Sequence, residues 1–93
     1  MTEHHTSPHG KQVLRELSPL TRKLRQEIPE VYEGFTALSR AAFTEGELST
    51  KFKELIAVAI AITHGCDGCI SSHARMAAVN GATPKEAAEA IGV

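Results

Sequence analysis

Apolar residues recur at helical spacing in the N-terminal half of the chain and predict three helices. The first two are marked by Val13, Leu14 and Leu17, and by Leu20, Leu24 and Ile28. Ser18-Pro19 separates them, and because proline is favoured in the first turn of a helix, we expect one helix to end there and the next to begin. A third helix is predicted from Pro29 to about Phe43, with Gly46 after its end.

The segment from Thr50 to Thr63 fits two kinds of secondary structure. Its β-branched residues, which alternate with alanines, are Ile56, Val58, Ile60 and Ile62. This alternation is typical of a buried strand that leads into a thioredoxin-like site. A helix is favoured because no other segment offers a partner strand, alanine is a strong helix former, and a charged N-terminal part extends the segment beyond strand length. Ser49 is a suitable N-cap. The second half is apolar on all sides, which predicts burial on every side.

Two more helices complete the predicted fold. One runs from about Asp67 to Asn80 and stops at Gly81, a residue that suits the turn after a helix. The last begins at the Thr-Pro-Lys-Glu sequence of residues 83–86, a capping box with proline at the first helical position. We therefore predict an all-α fold, a small domain of about five helices at residues 10–93, after a flexible polar leader at residues 1–9. The leader's histidines, for which no site is expected, are His4, His5 and His9.

Composition and charge limit the classes of function. A chain of 93 residues buries only about 60 to 65% of its unfolded surface, so a monomer would be marginally stable and self-association is expected. The net charge of -1 gives no electrostatic case for binding nucleic acid or anionic membranes. The longest apolar run, Leu55 to Ile62, is far shorter than the roughly 20 residues that span a bilayer. Because the start of the chain has no apolar signal region, a cytoplasmic location is expected.

The charged residues of the second predicted helix lie between its apolar positions. They are Arg22, Lys23, Arg25 and Glu27. This arrangement is typical of a solvated helix face, and a small basic contact surface is the alternative.

Cys66, Cys69 and His73 form the candidate chemical site. They fall at positions i, i+3 and i+7, so a helix beginning near Cys66 would place all three on one face. Gly65 breaks the preceding segment. The first N–H groups of a helix that starts after it would lie beside both sulfurs and favour thiolates. Such a pair can attack a peroxide or a disulfide and then close on itself.

The candidate acid and base groups of this site are His73 and two further residues, Glu54 and His64. His73 lies one turn after Cys69, close enough to bond its sulfur or to carry protons. Glu54 precedes Cys66 by twelve residues, so it would have to reach the site from another element. His64 is either a helix-end histidine stabilised by the helix dipole or an accessory member of the site.

Zinc binding is the alternative to redox chemistry. Cys66, Cys69 and His73 would supply three of the four usual zinc ligands, with Glu54 or His64 as the fourth. The protein would then be a zinc-stabilised helical binding module. A third hypothesis is an interaction or scaffold protein whose cysteines have no chemical role.

The spacing of these residues resembles that of a known family, the alkylhydroperoxidase-D-like branch of the carboxymuconolactone decarboxylase family. The pattern that carries the resemblance is Glu54-x11-Cys66-x2-Cys69-x3-His73, followed by Ala77-x3-Gly81-x-Thr83-x2-Glu86. The resemblance extends from about Leu17 to the end of the chain. It departs at Gly68, where the best-known peroxidase of the family has a histidine.

This resemblance implies an all-helical, oligomeric hydroperoxide reductase, a trimer or hexamer, with a redox-active disulfide. In the family's scheme the second cysteine, here Cys69, attacks the peroxide, and the first, Cys66, resolves the resulting sulfenic acid as a disulfide. The matching glutamate and histidine, Glu54 and His73, form a proton relay. The implied partners are a hydroperoxide substrate and a thiol or dithiol reductant, and no cofactor or metal is expected. Decarboxylating members of the family lack this cysteine pair, so decarboxylation is not expected.

Overall fold

The computed structural model describes residues 9–93, which form five helices. These are α1 (His9–Glu27), α2 (Pro29–Phe43), α3 (Thr50–His64), α4 (Asp67–Val79) and α5 (Pro84–Gly92). No strand occurs within residues 9–93, so the all-α prediction is confirmed, as is the choice of helix over strand for the segment from residue 50. His4 and His5 of the expected leader lie outside the described residues, and His9 is the first residue of α1. None of the helices described is long and apolar enough to cross a membrane.

The expected break at Ser18-Pro19 is wrong, because α1 continues through it as one helix. A proline inside a helix removes one backbone hydrogen bond and costs about 3 kcal/mol or more. Packing on both sides of the proline opposes this cost, since α1 contacts both α4 and α2. The apolar positions on either side also follow one uninterrupted period of three and four residues, which is the pattern of a single amphipathic helix.

Helix α3 packs against both α4 and α5. The buried apolar residues within residues 9–93 are Leu55, Val58, Ala61 and Ala77. The first three belong to α3 and the last to α4. The prediction that the second half of α3 is buried on every side is wrong for the single chain, because Ile56, Ile60 and Ile62 are exposed. Within the described part of the chain, only one face of α3 is therefore covered.

Helices α1 and α2, with Ile28 between them, carry a second set of apolar residues that the rest of residues 9–93 does not cover. Its members are Leu20, Leu24, Ile28, Val31, Phe35 and Leu38, and all of them are exposed. The expectation that Leu20, Leu24 and Ile28 form the buried side of a helix is thus not met within one chain. Helical periodicity identifies an apolar face but does not say whether the same chain or another molecule covers it.

A tight turn at Gly65 positions the N-terminus of α4. Gly65 has φ 67° and ψ 31°, the left-handed conformation that glycine adopts without steric cost. The N–H of Cys66 donates to the carbonyl oxygen of Ala61 at 3.2 Å, which closes the end of α3. Because α4 starts directly after this turn and packs along α3, residues of the two helices that are distant in sequence meet across their contact.

The predicted capping box of α5 is present and is tied to α3. The Thr83 hydroxyl accepts from the N–H of Glu86 at 3.0 Å, and the Glu86 carboxylate accepts from the N–H of Thr83 at 2.9 Å. Lys51 Nζ, in the first turn of α3, lies 2.9 Å from the other carboxylate oxygen of Glu86. The pKa of the Glu86 carboxyl is therefore lowered, first by the hydrogen bond from Lys51 and then by that from the Thr83 N–H.

This lowered pKa predicts how the Lys51–Glu86 pair contributes to stability as pH changes. A carboxyl whose folded-state pKa is lowered stabilises the protein fully above its ordinary pKa, and the contribution is lost as pH falls through the lowered value. We expect Lys51→Met to be less stable than the wild type near neutral pH, and the difference to shrink as pH falls below the ordinary pKa of a glutamate side chain. Urea unfolding over a pH series measures this. Lys85→Met, at an exposed position of α5, is the control, and a Lys51→Met deficit that stays constant with pH would contradict the assignment.

Candidate active site

Cys66 and Cys69 form a disulfide at the start of α4, with their Cα atoms 5.3 Å apart. Cys66 is the N-cap of α4, and its Sγ accepts a hydrogen bond from the N–H of Cys69 at 3.2 Å. A sulfur thus takes the place of the serine, threonine or aspartate oxygen that usually satisfies this N–H. Cys66 is half-buried and Cys69 is exposed, so the second cysteine is the more accessible of the two.

Glu54 and His73 form a hydrogen-bonded pair between α3 and α4. Glu54 Oε1 lies 2.8 Å from His73 Nδ1. The Glu54 side chain is only 6% exposed and that of His73 is 29% exposed. A carboxylate accepts hydrogen bonds, so Nδ1 of His73 carries the proton of this contact, and in the neutral ring Nε2 is then left as an acceptor. The buried glutamate therefore fixes both the orientation and the tautomer of the more exposed histidine.

Phe43 adds a second constraint on the His73 ring. The two rings are stacked, with centroids 5.4 Å apart and planes inclined by 19°. Phe43 is the last residue of α2, so three different helices determine the position of His73. From the sequence, Phe43 was predicted only as the end of a helix. Helical spacing contains no signal for this contact, because the two residues belong to different helices.

An open groove of about 690 Å³ lies next to the disulfide. It is formed by α1, α2 and the first turns of α4, and its lining includes Cys66, Cys69 and His73. Glu54 is not part of the lining and lies behind His73. A small molecule in the groove would therefore reach both sulfurs and the histidine directly, and would reach the glutamate only through His73.

Gly68, between the two cysteines, is the point at which α1 approaches the disulfide. A Cβ atom built on Gly68 would lie 2.8 Å from Cδ1 of Leu17, so any side chain here requires the leucine to move. The leucine atom is the end of a flexible side chain that is 40% exposed, so a small substitution could be accommodated. A larger one would project toward the groove, which both residues line. Gly68 thus allows α1 to pack closely against the turn that carries the disulfide.

The structure brings four of the five predicted site residues together and leaves the fifth apart. Cys66, Cys69 and His73 share the groove, and Glu54 contacts His73. His64, the last residue of α3, is exposed and does not line the groove. Within residues 9–93 its side chain makes no hydrogen bond or ion pair, so the suggested accessory role of His64 gains no support.

The metal alternative also gains no support from the geometry. Among the residues that the structure describes, no group of three or more His, Cys, Asp or Glu side chains is arranged to hold a metal ion. His73 Nδ1 is already engaged in the hydrogen bond to Glu54. Two sulfurs bonded to each other are also not the thiolates that zinc requires.

Similar proteins were found by sequence and by structure. The sequence profile of the carboxymuconolactone decarboxylase family matches residues 29–93. An uncharacterised protein of Cupriavidus necator is 35% identical over 80 residues, which are 86% of this chain and 71% of that protein. Uncharacterised protein 4 in the cox locus of Paracoccus denitrificans is 43% identical over 61 residues, 66% of this chain and 55% of that protein. This chain thus spans between about half and three quarters of the length of these curated relatives.

A solved structure matches the whole arrangement of helices. It is the apo form of a carboxymuconolactone decarboxylase family protein from Legionella pneumophila. The match has a TM-score of 0.89 and 36% sequence identity, and it covers 92% of this chain and 77% of the other. The helical architecture of this chain therefore recurs in that Legionella pneumophila protein.

The Phe43 stack can be tested by replacing the ring with a similar apolar volume. Aromatic pairs contribute about 0.5 to 1.5 kcal/mol, so we expect Phe43→Leu to lower the free energy of unfolding by roughly that amount. The proton resonances of the His73 ring should also shift, because the neighbouring ring current is lost. Denaturant unfolding and NMR measure the two effects. Phe52→Leu, in α3 and not stacked on His73, is the control, and unchanged His73 resonances in Phe43→Leu would rule out the stack.

Proposed function

The chain belongs to the carboxymuconolactone decarboxylase family, and from this premise we propose that it is a thiol-dependent hydroperoxide reductase of the alkylhydroperoxidase-D-like kind. One observation carries the proposal. The Cys66–Cys69 disulfide at the start of α4 lies on the same groove as His73, whose ring is held by the buried Glu54. A reactive cysteine pair together with an oriented base is the combination that peroxide reduction by thiols requires.

The first step of the proposed reaction takes place in the dithiol form. Nε2 of His73 accepts the thiol proton of Cys69, and the thiolate attacks the terminal oxygen of a hydroperoxide, ROOH. A sulfur–oxygen bond forms, the oxygen–oxygen bond breaks, and the leaving alkoxide takes the proton from His73 to become an alcohol, ROH. Cys69 is left as a sulfenic acid. The exposure of Cys69 supports its role as the attacking residue.

The second step returns the protein to the disulfide form. The Cys66 thiol attacks the sulfenic acid sulfur of Cys69, the disulfide forms, and the oxygen leaves as water. Two electrons have then passed from the cysteine pair to the peroxide. A dithiol reductant completes the cycle by thiol–disulfide exchange, in which it becomes a disulfide itself. This exchange is consistent with a cytoplasmic protein, because that compartment maintains reduced thiols.

Glu54 acts through His73 in this scheme and does not contact the reacting atoms. Its carboxylate keeps the proton of the imidazole on Nδ1, so that Nε2 faces the proton transfer. It also stabilises the imidazolium ion that forms when Nε2 is protonated. We assign Cys69 and Cys66 as catalytic residues, His73 as the general base and acid, and Glu54 as its positioning residue.

The active form in this proposal is a homo-oligomer, a trimer or hexamer. Five exposed apolar residues outside the groove support it, since a soluble monomer rarely leaves so many large apolar side chains to water; they are Leu20, Leu24, Ile28, Val31 and Leu38. The small number of buried residues points the same way, because a domain of this size gains little stability from its own core.

The cysteine assignment predicts different products from two single variants. Cys69→Ser should consume no hydroperoxide, because the attacking sulfur is absent. Cys66→Ser should reduce one equivalent and stop, because the sulfenic acid on Cys69 has no partner, and a sulfenic acid reagent such as dimedone should label it. Intact mass after peroxide treatment and alkylation distinguishes these states, with loss of both thiols expected in the wild type. Continued turnover by Cys69→Ser would exclude the assignment.

The proton relay is tested with the two histidines of the C-terminal half. Because general acid–base catalysis contributes about 10²- to 10⁴-fold, His73→Gln should lower the rate of peroxide reduction by that factor. The residual rate should rise with pH, since the thiol must then ionise unaided. His64→Gln, which lies outside the groove, should retain the wild-type rate and pH profile. A His73→Gln variant with an unchanged profile would refute the relay.

A further inference from the structure

The groove beside the disulfide changes in chemical character along α1. Leu14 and Leu17 give it an apolar wall near the cysteines, and Arg22 and Arg25 line it further along the same helix. We propose that this groove binds hydroperoxides that carry a carboxylate on an apolar chain, with the two arginines binding the carboxylate while the peroxide group reaches Cys69. This inference rests on the peroxidase function proposed above and specifies its substrate class.

The positions of these residues set the distance between the two ends of the ligand. Leu17 marks the disulfide end, because it touches Gly68 between the two cysteines. Arg25 follows Leu17 by eight residues, which corresponds to about 12 Å along a helix with a rise of 1.5 Å per residue. Phe35 of α2 also lines the groove and adds apolar surface. A medium-length acyl chain spans this distance, whereas a compact hydroperoxide does not.

The arginines are available to an anionic ligand. Within residues 9–93 the ion pairs are His9–Asp67, Lys51–Glu86 and His73–Glu54, so neither arginine is neutralised by an acidic side chain of the described chain. Glu33, which lines a separate surface depression together with Arg25, is not part of any of these ion pairs. A guanidinium group pairs with a carboxylate through two parallel hydrogen bonds, which suits it to this role.

Tyr32 holds one of the two guanidinium groups in place. The guanidinium carbon of Arg25 lies 5.1 Å from the centre of the Tyr32 ring, a cation–π contact between α1 and α2. The half-buried tyrosine thereby reduces the freedom of an exposed arginine on the edge of the groove. The expectation of a purely solvated charged face is therefore incomplete, because two of its four residues line a cavity that contains the disulfide.

The groove favours a small molecule over an acidic protein as the ligand of these arginines. Its volume of about 690 Å³ lies within the range of roughly 300 to 1,000 Å³ that is usual for small-molecule sites. Its apolar wall between the arginines and the cysteines matches an acyl chain. A protein that docked by charge alone would contact the exposed arginines, and the apolar wall would not contribute to its binding.

The experiment compares two substrates that differ only in charge. A medium-chain fatty acid hydroperoxide and its methyl ester are assayed with the wild type and with the Arg22→Gln, Arg25→Gln double variant. Because the ester has no carboxylate to form charge-assisted hydrogen bonds with the arginines, the ratio of kcat/KM for acid over ester should fall about 10- to 100-fold in the variant. Lys23→Gln, which removes a charge from the same helix outside the groove, is the control and should keep the wild-type ratio.

Binding of decanoate, followed by NMR shifts of backbone amides, tests the same site without turnover. We expect shifts at residues lining the groove in the wild type and their loss in the double variant, even if the proposed peroxidase activity fails. An equal loss of activity toward acid and ester would overturn the inference, as would a raised KM for the reductant with an unchanged acid-to-ester ratio. The latter would identify the arginines as a docking site for an acidic reductant protein. Absence of decanoate shifts in the wild type would also overturn the inference.

Discussion

The hydrogen bond between Glu54 and His73 is the contact on which the rest of this structure depends. Among residues 9–93, Glu54 is the one buried charged residue, and it lies in a core of four apolar side chains, two of them alanines. An ionisable group at such a position is tolerated only when it is paired, and removing one partner leaves the other desolvated. The pair therefore fixes the position of α3 relative to α4. The same contact orients the imidazole toward the groove, so the packing of the central helices and the chemistry proposed for the site share one constraint.

Local signals in the sequence identified most of the helices. Ser49 accepts the predicted N-cap hydrogen bond, Gly65 adopts the left-handed conformation, and the capping box at residues 83–86 forms as expected. These features depend on neighbours within one turn. The helix break predicted at Pro19 was wrong. Local proline chemistry favours the start of a new helix there, whereas packing of α1 against α4 and α2 favours one continuous helix. The exposure of apolar faces on α1, α2 and α3 could not be predicted either, because periodicity does not reveal what covers a face.

The same distinction applies to the site. Cys66, Cys69 and His73 lie within two turns at the start of α4, so their spacing was enough to predict that they share one face, and the structure places all three on one groove. Glu54 comes from another helix, and only the family pattern connected it with His73 before the structure showed their contact. Phe43, Arg22 and Arg25 have no such pattern in this chain. Their contribution depends on how α1 and α2 lie against α4, which is a property of tertiary packing.

Cys66 has two roles, and each places a different requirement on its side-chain atom Sγ. As the N-cap of α4 it needs only an acceptor for the N–H of Cys69, which an oxygen would supply equally well. As half of a disulfide it must be sulfur. Exchange of a single atom, serine for cysteine, would therefore preserve the start of the helix and remove the redox couple. In this architecture thiol chemistry can be gained or lost in evolution by one substitution, without any change in the helices that carry it.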